Sequence, residues 1–371
     1  MDLNKKQLFR DTSPKKGVHS ECYNTMIVDF PFLKIVTDKE AWGDTLKRID
    51  SYDFYHTFDY HQLSKKNNEE ALLIVYDAPS TLIALPLLIR PIEGTSYNDA
   101  TSVYGYGGPV IKGIPENADF TDFHMALNAF FSVKNIVSVF TRLHPFIKNQ
   151  EAILNHMGHI DELGNVVHID LAKDLQDQRK AFSGTTKRYL NKIRKSYHTR
   201  IGNSKADILR FIELYYENMN RVNAKEDYYF SEDYFFDLME SSEFETLIIF
   251  AVNNTTKKEV SGAMMIRTNN EIIQYHLSGT MNDYLKVTPL RLLIDEIRIM
   301  GTKDCYKHFN LGGGVNSEED SLFFFKSSFS KNFKKFKVWK YIVDLEAYYS
   351  LSQQNSTKYN YSSFFPVYRR N

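Results

Sequence analysis

The order of the secondary-structure signals, more than any one motif, limits what this chain can fold into: it runs twice through helix, antiparallel strands, helix and strand. In the first passage, residues 52–61 place aromatic side chains three and four apart and predict a helix. Residues 71–76 and 82–90 are apolar strands joined by Asp77-Ala78-Pro79-Ser80, a hairpin signal, with Pro86 marking a bulge or an edge. A strand from 98 runs into the glycine-rich turn Tyr104-Gly105-Tyr106-Gly107-Gly108-Pro109. A helix at 120–133 and strands at 136–143 and 166–171 close the unit. The second passage opens with helical spacing at 176–197, 205–221 and 233–241 and continues with strands at 246–252, 260–267 and 271–278. It ends with a helix from Pro289 to a C-cap at Gly301, a strand at 306–311, a helix at 318–329 and a strand at 335–345.

The expected fold class is α+β, with two related domains in tandem and mixed, mostly antiparallel sheets flanked by helices. A length of 371 residues fits two domains. The boundaries read as a leader at 1–29, a first domain at 30–172, a second domain carrying a basic helix at 173–348, and a tail at 349–371. A doubly wound dinucleotide fold would need alternating strands and helices and a Gly-x-Gly-x-x-Gly turn opening a helix, and neither is present.

Composition removes further classes. The 46 Lys and Arg residues balance the 46 Asp and Glu residues, so no global field draws DNA, and any anion site is local. Cys22 and Cys305 match neither a zinc spacing nor a disulfide framework, so no metal is expected and a reducing cytoplasm fits. No segment has the length of an apolar membrane span, and the N-terminus lacks the core of a signal peptide, which leaves peripheral contact as the expected relation to a membrane.

Four segments, taken in order, carry a family resemblance. They are Ser102-Val103-Tyr104-Gly105-Tyr106-Gly107-Gly108-Pro109, Lys187-Arg188-Tyr189-Leu190-Asn191-Lys192-Ile193-Arg194-Lys195, Tyr275-His276-Leu277-Ser278-Gly279-Thr280, and Asn310-Leu311-Gly312-Gly313-Gly314 followed by Leu322-Phe323-Phe324-Phe325-Lys326-Ser327-Ser328-Phe329. Across residues 52–348 the chain resembles the FemAB-like branch of the Gcn5-related N-acetyltransferase (GNAT) superfamily. The resemblance implies tandem GNAT-like domains and transfer of an acyl or aminoacyl group to an amine of a cell-wall or surface-glycan precursor, a phosphorylated saccharide linked to a nucleotide or a lipid. It implies no tightly bound cofactor. The co-substrate is acyl-CoA such as acetyl-CoA, which is favoured, or aminoacyl-tRNA as in peptidoglycan bridge-forming members. A non-catalytic binding scaffold is the remaining alternative. The chain departs from bridge-forming members at Lys112, where they carry an acidic residue, and it has no heptad insertion for a coiled-coil arm.

Candidate site residues follow. Between Arg179 and Arg200 there are eight Lys and Arg residues and no acid. Arg188 and Lys192 share a helix face and, with Arg194, can meet a diphosphate, unless the run is a solvated basic face. The resemblance places the acceptor's phosphates there. Lys326 follows three phenylalanines, and Phe325-Lys326 matches the family's Phe-Lys pair, which implies a cation for an acyl-transfer oxyanion. The alternative is a lysine that ends an amphipathic helix with its head in water. Strand alternation places His276 and Ser278 on one face, His276 as an acid/base candidate, unless it is a hydrogen-bonded structural residue, and Ser278 as a substrate contact. Tyr104 and Tyr106, on one strand face, and Gly108 are candidates for the acceptor groove. For the donor, Lys286, the backbone N–H groups from Val287 to Leu290, and the Gly312-Gly313 turn are the candidate phosphate contacts.

Overall fold

A computed structural model describes residues 31–113, 118–353 and 364–370. The expected leader at 1–29 lies outside the described residues. The first half contains β1 (Leu33–Val36), α1 (Lys39–Lys47), α2 (Phe58–Ser64), β2 (Glu70–Ala78), β3 (Thr81–Pro91), β4 (Asn98–Thr101), β5 (Val110–Lys112), α3 (Thr121–Val133), β6 (Ile136–Leu143), α4 (Gln150–Ile153) and β7 (His159–Asp170). After α5 (Leu175–Lys180) and α6 (Gly184–Ile193) come β8 (Tyr197–Gly202), α7 (Lys205–Arg221), α8 (Glu232–Glu240), β9 (Glu245–Asn253), β10 (Glu259–Thr268), β11 (Ile272–Thr280), α9 (Leu290–Lys303), β12 (His308–Gly312), α10 (Ser321–Ser327), β13 (Asn332–Ile342) and α11 (Leu345–Ser352).

Setting β5 aside, the order β1-α1-α2-β2-β3-β4-α3-β6-α4-β7 recurs as β8-α7-α8-β9-β10-β11-α9-β12-α10-β13. Pairing repeats too. In each half four antiparallel strands end on one that runs parallel to the strand after the crossover helix, β4 beside β6 and β11 beside β12. This is the tandem GNAT-like α+β arrangement expected from the sequence.

One expectation about pairing is corrected. The segment around Val166 does not close the first unit: β7 pairs with β12 of the second half, while β13, from the far end of the chain, pairs with β6 of the first. β7 and β13 also pair with each other and fuse both halves into one sheet. Burial explains the exchange. Val167, Ile169 and Leu171 are buried in the second-half core against α6 and α9, and Trp339 of β13 is buried with α3 in the first-half core. Each such side chain contributes about 1.5–3 kcal/mol only on the face where it finds a core.

Local chemistry accounts for other details. The helix expected at 52–61 is a short 3-10 turn, Phe54–His56, followed by α2, because Asp53 and Thr57 each cap a new start with a side-chain oxygen. Pro86 causes no bulge in the β2–β3 ladder. It lies between the stretch of β3 that pairs with β5 and the stretch that pairs with β4, where a missing N–H costs no ladder bond. Gly301 lies inside α9, and Asp304 is the C-cap. Within the expected tail, α11 and residues 364–370 pack on the first half, with Phe365 and Tyr348 buried beside Val137.

A third core lies between the halves. Phe54, Tyr55, Tyr60 and Val103 meet Phe211, Leu214, Tyr215, Phe235 and Phe250 there. Its rings, and the buried polar groups beside them, position the site.

Candidate active site

The strand β12 ends on Gly312, whose φ of 76° lies in the left-handed region that glycine adopts without strain. A methyl group at Gly312 would lie 3.3 Å from Lys326 Nζ and 3.8 Å from the Tyr106 hydroxyl, so both side chains converge on this turn. Lys326 comes from α10, which Asp320 caps. It is 8% exposed, its Nζ donates to the Gly313 carbonyl at 2.6 Å, and it stands 5.8 Å from the centre of the Tyr275 ring. Burial pulls its pKa down to about 8, with Asp320 a weak opposing influence. An ammonium has three donors, and one is used here among the described residues. The site therefore holds a desolvated cation that, among the described residues, has no carboxylate at ion-pair distance and has donors left to give.

The turn is fixed from below by a chain of buried polar groups. Phe146 and Ile147 N–H both donate to His144 Nδ1 at 3.2 Å, so the ring proton sits on Nε2 and donates to Asp53 Oδ2 at 3.0 Å. Gln274 Nε2 donates to the same carboxylate at 2.6 Å, and Asn310 Nδ2 donates to Gln274 Oε1 at 2.8 Å. Asn310 Oδ1 accepts the Gly312 N–H at 3.0 Å, and the Tyr106 hydroxyl reaches the same turn. Asp53, Gln274 and Asn310 are all almost fully buried. Burial raises the Asp53 pKa, but its bonds to His144, Gln274 and the Phe54 N–H outweigh that and hold it below the usual value. A charged group in the first half thus orients the glycine turn of the second.

The sequence-derived candidates sort into distinct places. Lys326, Gly312, Gly313 and Tyr106 come together, and Ser278 joins them through a hydrogen bond to the Tyr275 hydroxyl. His276 does not. In the β10–β11 ladder Leu277 pairs with Met264 and Tyr275 with Met265, which leaves His276 as the extra residue of a β-bulge. The bulge breaks the alternation that would have placed His276 beside Ser278. The imidazole instead bonds the Tyr234 hydroxyl at 2.8 Å among Phe54 and Tyr60, and burial lowers its pKa to about 4. Phe325 faces away from Lys326, against Phe329 and the guanidinium of Arg291.

Tyr104 and Tyr106 do not share a strand face, because β4 stops at Thr101 and the chain turns. Tyr106 packs on Tyr55, His144 and Phe336, whereas the Tyr104 ring is 63% exposed beside Arg142 and Tyr228. Gly108 offers no open space to a ligand. A methyl there would lie 2.5 Å from Gln150 Nε2, which bonds the carbonyls of Gly107 and Pro109.

On α6, Arg188 and Lys192 occupy the exposed face, with Thr186, Leu190 and Ile193 buried opposite. Arg194 is removed from that group by ion pairs with Asp295 and Glu296. In the β11–α9 loop, the Val287 N–H donates to Tyr284 and the Thr288 N–H to Tyr284 and Leu285, so neither is free for a phosphate. Lys286 is exposed, and Leu290 opens α9. The cation the sequence did not reveal there is Arg291. It lies against Tyr189, Phe325 and Phe329, donates to Thr186 and Ser328 hydroxyls at 2.7 and 3.0 Å, and has no acidic partner among the described residues. His144 and Gln150 also line a cleft of about 430 Å3 whose walls carry Lys148, Lys334, Lys335 and Lys337. Among the described residues no cluster of three metal-ligating side chains occurs, and no helix is long and apolar enough to cross a membrane.

The halves, their crossover pairing and the site on the second parallel strand pair define a tandem GNAT-like fold of the FemAB-like kind. Comparison with solved structures agrees. FemX superimposes with a TM-score of 0.66 at 11% identity over 85% of this chain and 98% of FemX. L-PGS from Bacillus licheniformis gives 0.55 at 14% over 84% and 94%, and a conserved protein of unknown function from Bacteroides thetaiotaomicron gives 0.56 at 13% over 83% and 99%. No family model and no curated protein matches the sequence. At these identities the likeness is one of fold.

Proposed function

We propose that the protein is an N-acyltransferase that forms an amide on an amino group of a cell-wall or surface-glycan precursor, with the chemistry centred on Lys326. The observation that carries this reading is the buried ammonium, with unused donors and no carboxylate at ion-pair distance among the described residues, beside a glycine turn. The acceptor nitrogen attacks the donor's carbonyl carbon, a C–N bond forms, and the bond to the departing thiol or ribose oxygen breaks. Negative charge develops on the carbonyl oxygen and the leaving group, where an ammonium in a dry slot is worth most. The proton lost by the amine ends on the leaving group, and a lysine whose pKa is about 8 is poised to relay it near neutral pH. His276, tied to Tyr234 behind the bulge, takes no part.

Between donors, the loop geometry supports the aminoacyl-tRNA alternative over acyl-CoA. A pyrophosphate cradle needs free backbone N–H groups at the start of α9, and those of Val287 and Thr288 are spent on the turn. In the cleft next to His144, Lys337 is paired with Glu151 and Glu162, and Lys148, Lys334 and Lys335 supply local positive charge for a polyanion in a chain of zero net charge. Exposed Arg188 and Lys192 remain the contacts for a phosphorylated acceptor, and the work belongs to the cytoplasmic side, with peripheral membrane contact for lipid-linked acceptors. The test is transfer to a nucleotide-linked amino sugar from either acetyl-CoA or a charged tRNA pool. RNase abolishing transfer supports the aminoacyl donor, transfer from acetyl-CoA alone overturns it, and transfer from neither donor points to a binding scaffold.

A further inference from the structure

Two segments of chain line the cleft of about 430 Å3: the loop that follows β6, from Leu143 to Glu151, and Lys334, Lys335 and Lys337 of β13. The loop is pinned at both ends. Gln150 Nε2 holds the Gly107 and Pro109 carbonyls at 2.9 and 3.0 Å, and Gln150 Oε1 accepts the His144 N–H at 2.7 Å. His144, a buried wall residue of the cleft, starts the chain that runs to Asp53 at 3.0 Å, to Gln274 at 2.6 Å, to Asn310 at 2.8 Å and to the Gly312 N–H at 3.0 Å. The next carbonyl, that of Gly313, seats Lys326 Nζ at 2.6 Å. Between its pins the loop is held less firmly, because the Phe146 and Ile147 N–H groups share the one lone pair of His144 Nδ1, both at 3.2 Å.

Charge sets what the cleft takes. Lys148 stands on the loop and Lys334 and Lys335 on β13, all three exposed and without an ion pair among the described residues. Glu151, the acid among the lining residues, is bound to Lys337 at 2.9 Å, and Lys337 also meets Glu162 at 3.1 Å. Uncompensated like charges on both segments push the loop away from β13, and an oxyanion between them draws the two together. A phosphate group, doubly charged and with several acceptor oxygens, meets ammonium groups from both segments at once, and the volume suits a group of that size with a small organic part. It binds the closed arrangement better than an open one and so shifts the population toward it.

We propose that the cleft is an effector site for a phosphate group, and that its occupancy draws the loop onto β13, firms the His144-to-Gly312 chain and thereby activates Lys326. The activation rests on the transferase reading and adds regulation to that site; the link between cleft and turn does not depend on what is transferred. By reciprocity, a ligand seated against Lys326 tightens phosphate in the cleft by the same factor.

The test titrates the full chain with inorganic phosphate in a calorimeter at constant ionic strength and follows hydrogen exchange at the Gly312 amide with and without saturating phosphate. Binding should saturate, exchange at Gly312 should slow at least threefold beyond any change at Leu214 of α7, which reports global opening, and single-turnover transfer should rise by a similar factor. The double variant K334A and K335A should bind at least tenfold more weakly and lose the slowing. N310A, which removes the partner of the Gly312 N–H, should bind phosphate and no longer transmit it; if N310A does not fold, the double lysine variant, whose positions are exposed, decides alone. Slowing reproduced by an RNA hairpin that displaces phosphate assigns the group to a polynucleotide backbone, whereas slowing by ribose 5-phosphate without displacement by the hairpin assigns it to a small molecule. Absence of saturable binding, binding with unchanged Gly312 exchange, an undiminished response in the double variant, or transfer that phosphate leaves unaltered would overturn the proposal. The exchange readout needs no turnover, so it stands or falls separately from the transferase reading, which loss of transfer in K326A tests.

Discussion

In the first half, the short helix after the parallel strand pair presents Gln150; in the second, the helix at the same place in the order presents Lys326. Both send a side-chain nitrogen to a glycine carbonyl, Gly107 in one case and Gly313 in the other. Gln150 is saturated: its amide nitrogen also bonds the Pro109 carbonyl, and its oxygen accepts the His144 N–H at 2.7 Å. The segment it holds is clamped further by the bridge between Gly107 and Leu143, so the opening between β4 and β6 is sealed. Lys326 is left with free donors and a depressed pKa at the equivalent opening of the second half. A repeated scaffold has thus been closed with a neutral amide on one side and left with an ammonium that has donors to give on the other. The proposed function assigns support to the first half and chemistry to the second.

Asp53 is where the two halves depend on each other most. Removing it leaves His144 and Gln274 with unpaired buried donors, and the expected loss for D53A is about 3–5 kcal/mol, read as a fall in the urea midpoint. A loss below about 1 kcal/mol would mean that the halves are held by apolar contacts alone.

Acid should act on both halves together. His56, His61, His168 and His276 have pKa values lowered by burial to about 3, 4, 4 and 4. The unfolded chain binds these protons near pH 6.5 and the folded chain does not, so stability is complete above that pH and falls as pH drops from 6.5 toward 4. At about 1.4 kcal/mol per pH unit, each ring accounts for about 2–3 kcal/mol between pH 6.5 and 4.5 and the four together for on the order of 10 kcal/mol, seen in unfolding curves at pH 7, 5.5 and 4.5. A flat profile over that range would show that these rings protonate in the folded state.

Lys326 has the same pH signature in a more alkaline window. Its folded pKa of about 8 lies below the ordinary lysine value of 10.5, so burying the ammonium costs stability below pH 8, and the cost is relieved as pH rises from 8 to 10.5. K326M should therefore be more stable than the parent at pH 7 by about 1 kcal/mol, while Q150M, in the first-half counterpart, should be destabilised by a similar amount through three lost bonds. The same sign in both variants would break the comparison.

Much of the fold was legible because apolar runs and turn residues are local signals. The helix at 205–221 coincides with α7, and the strand triplets fall close to β9, β10 and β11. What was not legible depends on partners distant in sequence. The exchange of β7 and β13 has no signature in either strand's own pattern. The bonds from Asp53 to His144 and Gln274 span 91 and 221 residues. His276 was misplaced by a single inserted residue in a strand, to which period-two alternation is blind. Lys326 was singled out by its match to the Phe-Lys pair of the family it resembles, while Arg142 and Arg291 stand out only once the absence of acidic partners among the described residues is visible.

The smallest expected effects separate the basic residues of α6. R194A, which breaks pairs to buried Asp295 and to Glu296, should cost about 1 kcal/mol and leave the acceptor KM unchanged. The double variant R188A and K192A should alter stability by less than about 0.5 kcal/mol and raise the acceptor KM with little change in kcat. An unchanged KM would make the exposed face of α6 a solvated surface.

Single-turnover transfer by K326A, with melting temperature matched to the parent and saturating donor and acceptor, addresses the division of labour between the halves most directly. The rate should fall by about 10²–10³ with substrate binding retained, K326R should recover little of it because a planar fork does not fit the slot of a compact ammonium, and Q150A should leave most of the rate in place. Near-parental turnover in K326A, or a larger loss in Q150A than in K326A at equal stability, would contradict the assignment of the chemistry to the second half.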